Sequence, residues 1–368
     1  ERRCALWSGL HWNHRDALEF TKVKDWSEEV RYMKQQDYSF PATLDMTNIS
    51  VILDDDFFEA YKNNDAGAHT VYWSAVKQML QHSEPGFSID VGSNRKENLR
   101  NACSEITSED DSDVCNLGSI NLARVGSIEE MRELVELGTL FLLAGTEYSH
   151  FPTEKSKEVK NKNRRLGLGI MGIHEWLLSH GYAYEPCEAL EEYLKVYSTS
   201  GEFANKWADK FGLSRPKKTR ALAPVGSIGI IGETTTSIEP IFCVAYKRRY
   251  FKEGKWFFQY VIDPTAKRLI DKGVPPEKIE DSYSLAQNVE KRVAFQAWVQ
   301  QYVDHAISST INLPAWGTEY NNEKLVESFG NMLMKYLPKL RGITVYADGS
   351  RSGQPLNPVK YSTAIKHI

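Results

Sequence analysis

Only five cysteines are scattered over 368 residues. That is too few and too dispersed for a disulfide scaffold, and it suits a reducing cytoplasm. Neither sign of charge dominates, since 45 Lys and Arg stand against 49 Asp and Glu for a formal net charge of -4. No obligatory partnership with nucleic acid or an anionic membrane surface is therefore expected. Long apolar runs are missing as well. Stretches such as Ile228-Gly229-Ile230-Ile231 fall far short of the roughly 20 residues that a spanning helix needs. Glu1-Arg2-Arg3 leads into mixed sequence, so no signal peptide is read, and the absence of an opening Met fits a fragment or a processed product. No fixed-period repeat and no Gly/Ser- or Pro-rich linker divides the chain, so a single domain over residues 1–368 is expected. What remains, 41% hydrophobic and 26% charged residues, is the composition of a globular protein large enough to bury a sizeable core.

Segments of strand and helix character alternate, which predicts an α/β architecture. Ser127-Ile128-Glu129-Glu130 is a capping-box pattern. Ile128, Met131, Leu134, Val135, Gly138, Phe141 and Leu142 follow it at helical spacing. Further helices are predicted over 188–211, ended by Gly212, and over 289–307. Strands are expected at Val51–Leu53, Gly86–Asp90, Ala221–Ala223 and Gly342–Tyr346. Short strands separated by long helices imply parallel pairing, in an open sheet or a barrel.

Reactive side chains are densest at Asn101-Ala102-Cys103-Ser104-Glu105, with Cys115-Asn116-Leu117-Gly118-Ser119 ten residues on. In an extended chain Asn101, Cys103 and Glu105 would face one side. A carboxylate beside a thiol raises the thiol pKa and suppresses the thiolate, which makes a poor ionic nucleophile. The set better suits a neutral thiol used for hydrogen-atom chemistry, with the carboxylate as general base. The plainer reading, equally compatible with the spacing, is a cysteine packed as a small hydrophobe beside solvated neighbours.

Asn-x-Cys-x-Glu followed by Val-Cys-Asn-Leu-Gly-Ser-Ile-Asn-Leu resembles the finger loop of the ribonucleotide reductase large subunit. Further segments resemble the same family in the same order. They are Arg164 to Gly172, read as a helix entry; Ala223 to Gly229 with Thr234 to Pro240, as the substrate-phosphate loop and the turn after it; and Thr344 to Arg351, as the last barrel strand. The resemblance implies a ten-stranded α/β barrel with the finger loop at its centre, incomplete here on its N-terminal side. Cys103 would carry a thiyl radical that takes the ribose 3′ hydrogen, Glu105 would deprotonate the 3′ hydroxyl, and Asn101 would hydrogen-bond the sugar. Cys115 would be one cysteine of the redox-active disulfide. Ala102, Ser104, Pro224, Val225, Gly226, Ser227 and Ile228 would contact substrate, the loop through backbone amides that small residues leave open to phosphate. Asn101, Cys103 and Glu105 should then converge on a cavity in the barrel, with Ser227 and the Gly226 amide at one end.

The family's iron-dependent branch relays the radical through two adjacent tyrosines, but here the strand reads Val345-Tyr346-Ala347. The resemblance is therefore greater to the adenosylcobalamin-dependent (class II) branch, in which cobalt–carbon homolysis starts the reaction; a ferritin-like radical-generating subunit is the rival source. A dithiol reductant such as thioredoxin is implied, together with a missing N-terminal segment or companion chain that supplies the first strands and the partner of Cys115. The segment Asp45-Met46-Thr47-Asn48 falls where the family links effector to substrate choice.

Other readings compete. Gly167-x-Gly-x-x-Gly172 fits a dinucleotide-binding pattern, and hence an NAD-binding oxidoreductase, but Lys160 to Arg165 is too polar for the strand that must precede it. An inactive barrel kept as an interaction module is the other alternative. His174-Glu175 with His180 has the wrong spacing for a zinc helix, and no metal site is expected. Asp54-Asp55-Asp56 reads as a solvated turn. Cys4, Cys187 and Cys243 read as structural cysteines, and His11 and His14 as surface or core residues.

Overall fold

The computed structural model describes residues 5–37, 39–253, 255–350 and 356–368; Cys4 and Arg351 lie outside them. The sheet grows from three parallel strands, β1 (Leu6–His11), β2 (Thr47–Asp54) and β3 (Gly86–Asp90). Apart from Asp54, β2 is almost wholly buried, and β3 is buried throughout, as strands covered on both faces must be. A finger-like hairpin follows, with β4 (Leu99–Arg100) antiparallel to β5 (Thr107–Ser108). The second half comprises β6 (Asn116–Asn121), β7 (Leu166–Met171), a short segment at Arg220–Leu222, and β10 (Thr310–Leu313) with the residues before it. It ends with β11 (Gly342–Ala347). Between them lies an antiparallel pair, β8 (Ala245–Lys252) and β9 (Lys255–Ile262), with β12 (Leu356–Pro358) on its edge.

The two halves meet where β11 runs antiparallel to β3, Gly342 opposite Ser88. From there β10 pairs parallel to β11, Ile307 bridges Leu222, Arg220 bridges Leu168, and β7 pairs parallel to β6. Among the described residues, eight strand positions thus follow one another, three parallel and then five parallel in the opposite sense. The curl is open between the free edges of β1 and β6. It is the expected barrel, two strands short. Gly167 and Gly169 let β7 lie close to its neighbours: a Cβ on Gly167 would come 2.4 Å from Leu117 Cδ2, and one on Gly169 would come 2.8 Å from the Ala221 carbonyl.

Two apolar clusters make up the core. Val51, Leu53, Tyr72, Val76, Met79, Phe87 and Val345 belong to one, while Val135, Leu142, Leu168, Ile170, Trp176 and Phe295 belong to the other. Burying one such side chain fully contributes about 1.5–3 kcal/mol.

Several expected elements differ. The helix Ile128–Tyr148 forms, and the Ser127 hydroxyl accepts from the Glu130 amide. The Glu130 carboxylate, however, reaches back to the Gly126 amide instead of Ser127, and Phe141 is 77% exposed. The predicted 188–211 helix is two, Glu188–Ser198 and Ser200–Lys210. The Ser198 and Thr199 hydroxyls donate to the Lys195 and Val196 carbonyls at the joint, a local alternative to continued helix. The predicted 289–307 helix stops at Gln300. Asp304 accepts from the Thr219 and Arg220 amides, and the His305 amide donates to the Arg220 carbonyl, which draws these residues into the sheet. The Ala221–Ala223 strand is reduced to bridges at Arg220 and Leu222. Asp54 is no solvated turn: it caps the helix Asp55–Lys62 and accepts from Trp12 Nε1 and His11 Nε2, each at 2.9 Å.

Candidate active site

The hairpin tip holds the reactive cluster. The Ser104 amide donates to the Asn101 carbonyl at 3.0 Å, and Ser104 adopts a left-handed φ of 69°. Residues 101–104 therefore form a tight turn, not the extended segment that the period-two argument assumed. The turn still brings the three groups together. Asn101 hydrogen-bonds the Glu105 carboxyl, and the charge of Glu105 acts on the Cys103 thiol. Cys103 is exposed and reduced, whereas Glu105 is only 1% exposed. Glu105 Oε2 is buried without a hydrogen-bond partner among the described residues.

The electrostatics suit a protonated thiol next to a base. Burial raises the Cys103 pKa and the Glu105 charge raises it further. Burial also lifts the Glu105 carboxyl above the usual carboxylate range, against hydrogen bonds from its own amide and from Asn101. A carboxyl raised in this way takes up a proton more readily than a free one.

The tip is held from three sides. The Asn48 amide donates to the Ala102 carbonyl at 2.7 Å. The Arg100 guanidinium donates to the carbonyls of Ser104 (3.1 Å) and Arg341 (2.6 Å). The Ala306 amide donates to the Glu105 carbonyl at 2.8 Å. Cys103 and Ser104 line a narrow cleft with Ser50, Ile307, Ser309 and Thr344. The stem is pinned by buried ions: Arg165 contacts Glu97 (2.9 Å) and Asp113 (2.7 Å), and Lys218 contacts Glu97. His305, fully buried, accepts the Thr107 amide through Nδ1 at 3.1 Å. Burial, with the charges of Lys218 and Arg165, pushes it well below the usual histidine range, so it is neutral.

Asn48, Arg100 and His305 have roles that sequence reasoning missed. Asn48 enters the sequence reading only as part of the effector-linked segment, and it is the second residue of β2. His305 and Thr107 are 198 residues apart, with no local signal to join them.

Cys115, just before β6, is reduced; its sulfur lies 3.1 Å from where a Gly167 Cβ would stand. Burial raises its pKa strongly, and the charges of Glu105 and Asp113 add to this. It therefore sits within electrostatic reach of the hairpin tip. Leu222 bridges Ile307 of the Cys103 cleft, and the segment after it is not all loop as expected: Pro224 and Val225 lead into a short helix, Gly226–Ile231, so Gly226, Ser227 and Ile228 form its first turn. Val225 takes a left-handed φ of 46°, Gly226 faces open space, and Ser227 and Ile228 are exposed. Gly229 packs against Thr236, and its carbonyl accepts from the Thr234 amide, which joins the loop to the 234–240 turn.

The competing motifs dissolve. Gly167 and Gly169 lie inside strand β7 and only Gly172 caps the helix that follows, Ile173–Ser179, so the glycines form no dinucleotide turn and the helix entry is confined to the end of the segment. His174 is buried and pushed down to about 3 by burial, and accepts the Ile241 amide. Glu175 is held by Arg124 and Arg268. No group of three metal-ligating side chains occurs among the described residues. Cys243 is buried with its thiol toward the Ala245 carbonyl, and Cys187 is half-buried. His11 pairs with Asp54. No helix among the described residues is long and apolar enough to cross a membrane.

Comparison with known proteins follows this geometry. The family model of the ribonucleotide reductase barrel domain matches residues 67–199 and 206–346. A vitamin B12-dependent ribonucleoside-diphosphate reductase of Thermoplasma acidophilum is 26% identical over 97% of this chain and 52% of its own length. One of the same description from Mycobacterium tuberculosis (strain H37Rv) is 28% identical over 66% of this chain and 40% of its own. Among solved structures, a B12-dependent (class II) ribonucleotide reductase superposes with a TM-score of 0.69 at 16% identity, over 94% of this chain and 52% of that one. The class Id alpha subunit of Actinobacillus ureae gives 0.67 at 17% identity, over 93% and 70%. The chain spans about half the length of the first of these relatives.

Proposed function

The chain belongs to the ribonucleotide reductase barrel family, and from that premise we propose that it carries the catalytic centre of a cytoplasmic reductase that converts ribonucleotides to 2′-deoxyribonucleotides. The observation that supports this best is the buried Glu105 carboxyl, whose Oε2 has no hydrogen-bond partner among the described residues, beside the exposed thiol of Cys103. Cys103, as a thiyl radical, takes the 3′ hydrogen atom of the ribose, and the hydrogen returns after reduction. Glu105 accepts the 3′-hydroxyl proton while Asn101 hydrogen-bonds the sugar and the 2′ hydroxyl leaves as water. Cys115 and a partner cysteine give up two electrons and close a disulfide, which a thioredoxin-like dithiol reopens. Ala102 and Ser104 border the sugar, and the loop of Pro224, Val225, Gly226, Ser227 and Ile228 receives the phosphates through backbone amides and the Ser227 hydroxyl.

Adenosylcobalamin is the radical source these residues fit. The thiol is open to an external source, while buried Ala347 follows Tyr346 where a tyrosine relay needs a second ring. When bound, the cofactor supplies the one-electron oxidising equivalent by homolysis of its cobalt–carbon bond. The residues that would hold it border two cavities of about 500 and 440 Å³ at the C-terminal end of β11, which share Ala315 and Asp348. The free edges of β1 and β6 call for two further strands, from an N-terminal segment or a companion chain, and these bring the partner of Cys115.

Cys103→Ser should abolish deoxynucleotide formation while leaving nucleotide affinity within about threefold, because an O–H bond is too strong to be opened by the same radical chemistry. Turnover measured beside equilibrium nucleotide binding decides this; retained turnover would refute the radical role.

A further inference from the structure

A cavity of about 680 Å³ lies away from the phosphate loop, at the foot of the finger hairpin. Its lining includes Lys217, Lys218, Arg220, Lys339, Arg341 and one carboxylate, Asp304. Three of the cations are matched: Lys217 by Glu109, Lys218 by Glu97 and Arg220 by Asp304. Lys339 and Arg341 make no ion pair among the described residues, and Arg341 Nε is buried without a hydrogen-bond partner. Asp90 and Glu97 act on Arg341 only as more distant charges. Behind it, Arg100 Nε is also buried and unpartnered. Burial first, and then the charge of Arg341, pushes Arg100 down to about 10. A buried guanidinium with open donors beside a second cation is costly unless an anion enters.

We propose that this cavity is a phosphate-binding site, taking inorganic pyrophosphate or the phosphates of a nucleotide between Arg341 and Lys339. Arg341 offers the planar fork that phosphate oxygens match, and Lys339 stands at the exposed rim as a point charge. The site also touches the radical loop. The Arg341 carbonyl accepts from Arg100, which in turn holds the Ser104 carbonyl next to Cys103. An anion on the Arg341 side chain relieves its repulsion of Arg100 and so steadies the turn that carries the thiol. The proposal does not depend on the reductase activity itself, because its ligand binds at the opposite end of the strand from the Ser227 loop.

The test is calorimetric titration of the whole chain with pyrophosphate, in the wild type and in Lys339→Glu, Arg341→Gln and Ser227→Ala. Lys339 is exposed, so its reversal leaves the fold intact, and Arg341→Gln keeps the carbonyl that Arg100 uses. Weakening of on the order of tenfold or more is expected in the first two variants, while Ser227→Ala reports only binding at the proposed substrate-phosphate segment. Saturating pyrophosphate should also slow alkylation of Cys103, read peptide by peptide, in the wild type but not in Lys339→Glu. If a nucleoside diphosphate binds at this site more tightly than pyrophosphate, and Lys339→Glu removes the difference, the natural ligand is a nucleotide; equal affinities identify free phosphate chemistry. Affinity indifferent to both cation variants, or lost only in Ser227→Ala, would overturn the site, and an alkylation rate indifferent to the ligand would overturn its link to the loop.

Discussion

Glu105 shows what burial does to a single carboxyl. Its folded pKa is raised, so ionising it costs stability; that cost is absent below the unfolded value and complete above the folded one. Glu105→Gln should therefore lose turnover yet melt at a higher temperature than the wild type at pH 8. The gain should vanish as the pH falls to about 4, near the unfolded carboxyl value. Thermal melts across that range check the sign. His305 behaves in the opposite way to a stabilising cation. Its folded pKa is depressed, so below about 6.5 the unfolded chain takes up a proton that the native state refuses. The resulting loss approaches 1.4 kcal/mol per pH unit at its steepest. His305→Gln should flatten the fall in urea midpoint between pH 7 and pH 5. A variant with the same acid sensitivity as the wild type would show that other groups cause it.

At the scale of elements, the finger hairpin is too short to hold itself. Two residues on each side pair, far less than an independent hairpin needs. Its geometry is borrowed from β2 through Asn48, from the residue before β11 through the Arg341 carbonyl, and from the residues before β10 through Ala306. Asn48→Ala removes one half-buried hydrogen bond and should cost about 1 kcal/mol of stability. The larger effect should be on turnover, since the Ala102 carbonyl then floats next to Cys103. Nucleotide binding unchanged with turnover down at least about tenfold is the expected split. On β7, Gly169→Ala forces a methyl to within 2.8 Å of the Ala221 carbonyl and 2.9 Å of Ser119 Oγ. The sheet must spread there, at a cost of about 1–3 kcal/mol, readable as a lower denaturation midpoint.

For the molecule as a whole, the open edges of β1 and β6 govern what the chain does alone. Unpaired strand edges carry rows of unsatisfied amides and carbonyls, and an apolar strip of Leu137, Leu140 and Phe141 flanks β6 in a cavity of about 640 Å³. Cys115 lies just before that edge. If two further strands complete the barrel as proposed, Cys115 should remain a thiol in the chain alone and repeated turnover should fail. Supplying them, in the same chain or as a separate one, should allow a disulfide with Cα atoms about 4.4–6.8 Å apart. Mass spectrometry of the oxidised protein decides the matter: a Cys115 bridge to Cys187 or Cys243 that supports turnover would contradict this assignment of the pair.

Local chemistry in the chain was enough to determine much of this protein. The strands at 51–53, 86–90 and 342–346 and the helix after Ser127 are written in spacing and residue type, because capping and alternation act over a few residues, whereas the finger-loop residues and the small-residue loop stand out only through the family resemblance. Tertiary structure decided the rest. Whether residues 101–105 were extended or turned depended on Asn48, Ala306 and the Arg341 carbonyl that holds Arg100, which come from three distant segments. Whether the 289–307 helix continued depended on Asp304 finding the Thr219 and Arg220 amides. The buried ions at the stem and the basic cavity beneath them arise only when Glu97, Arg165, Lys218 and Arg341 meet, since charges far apart in sequence acquire their energies from shared burial, and burial is a property of the folded whole.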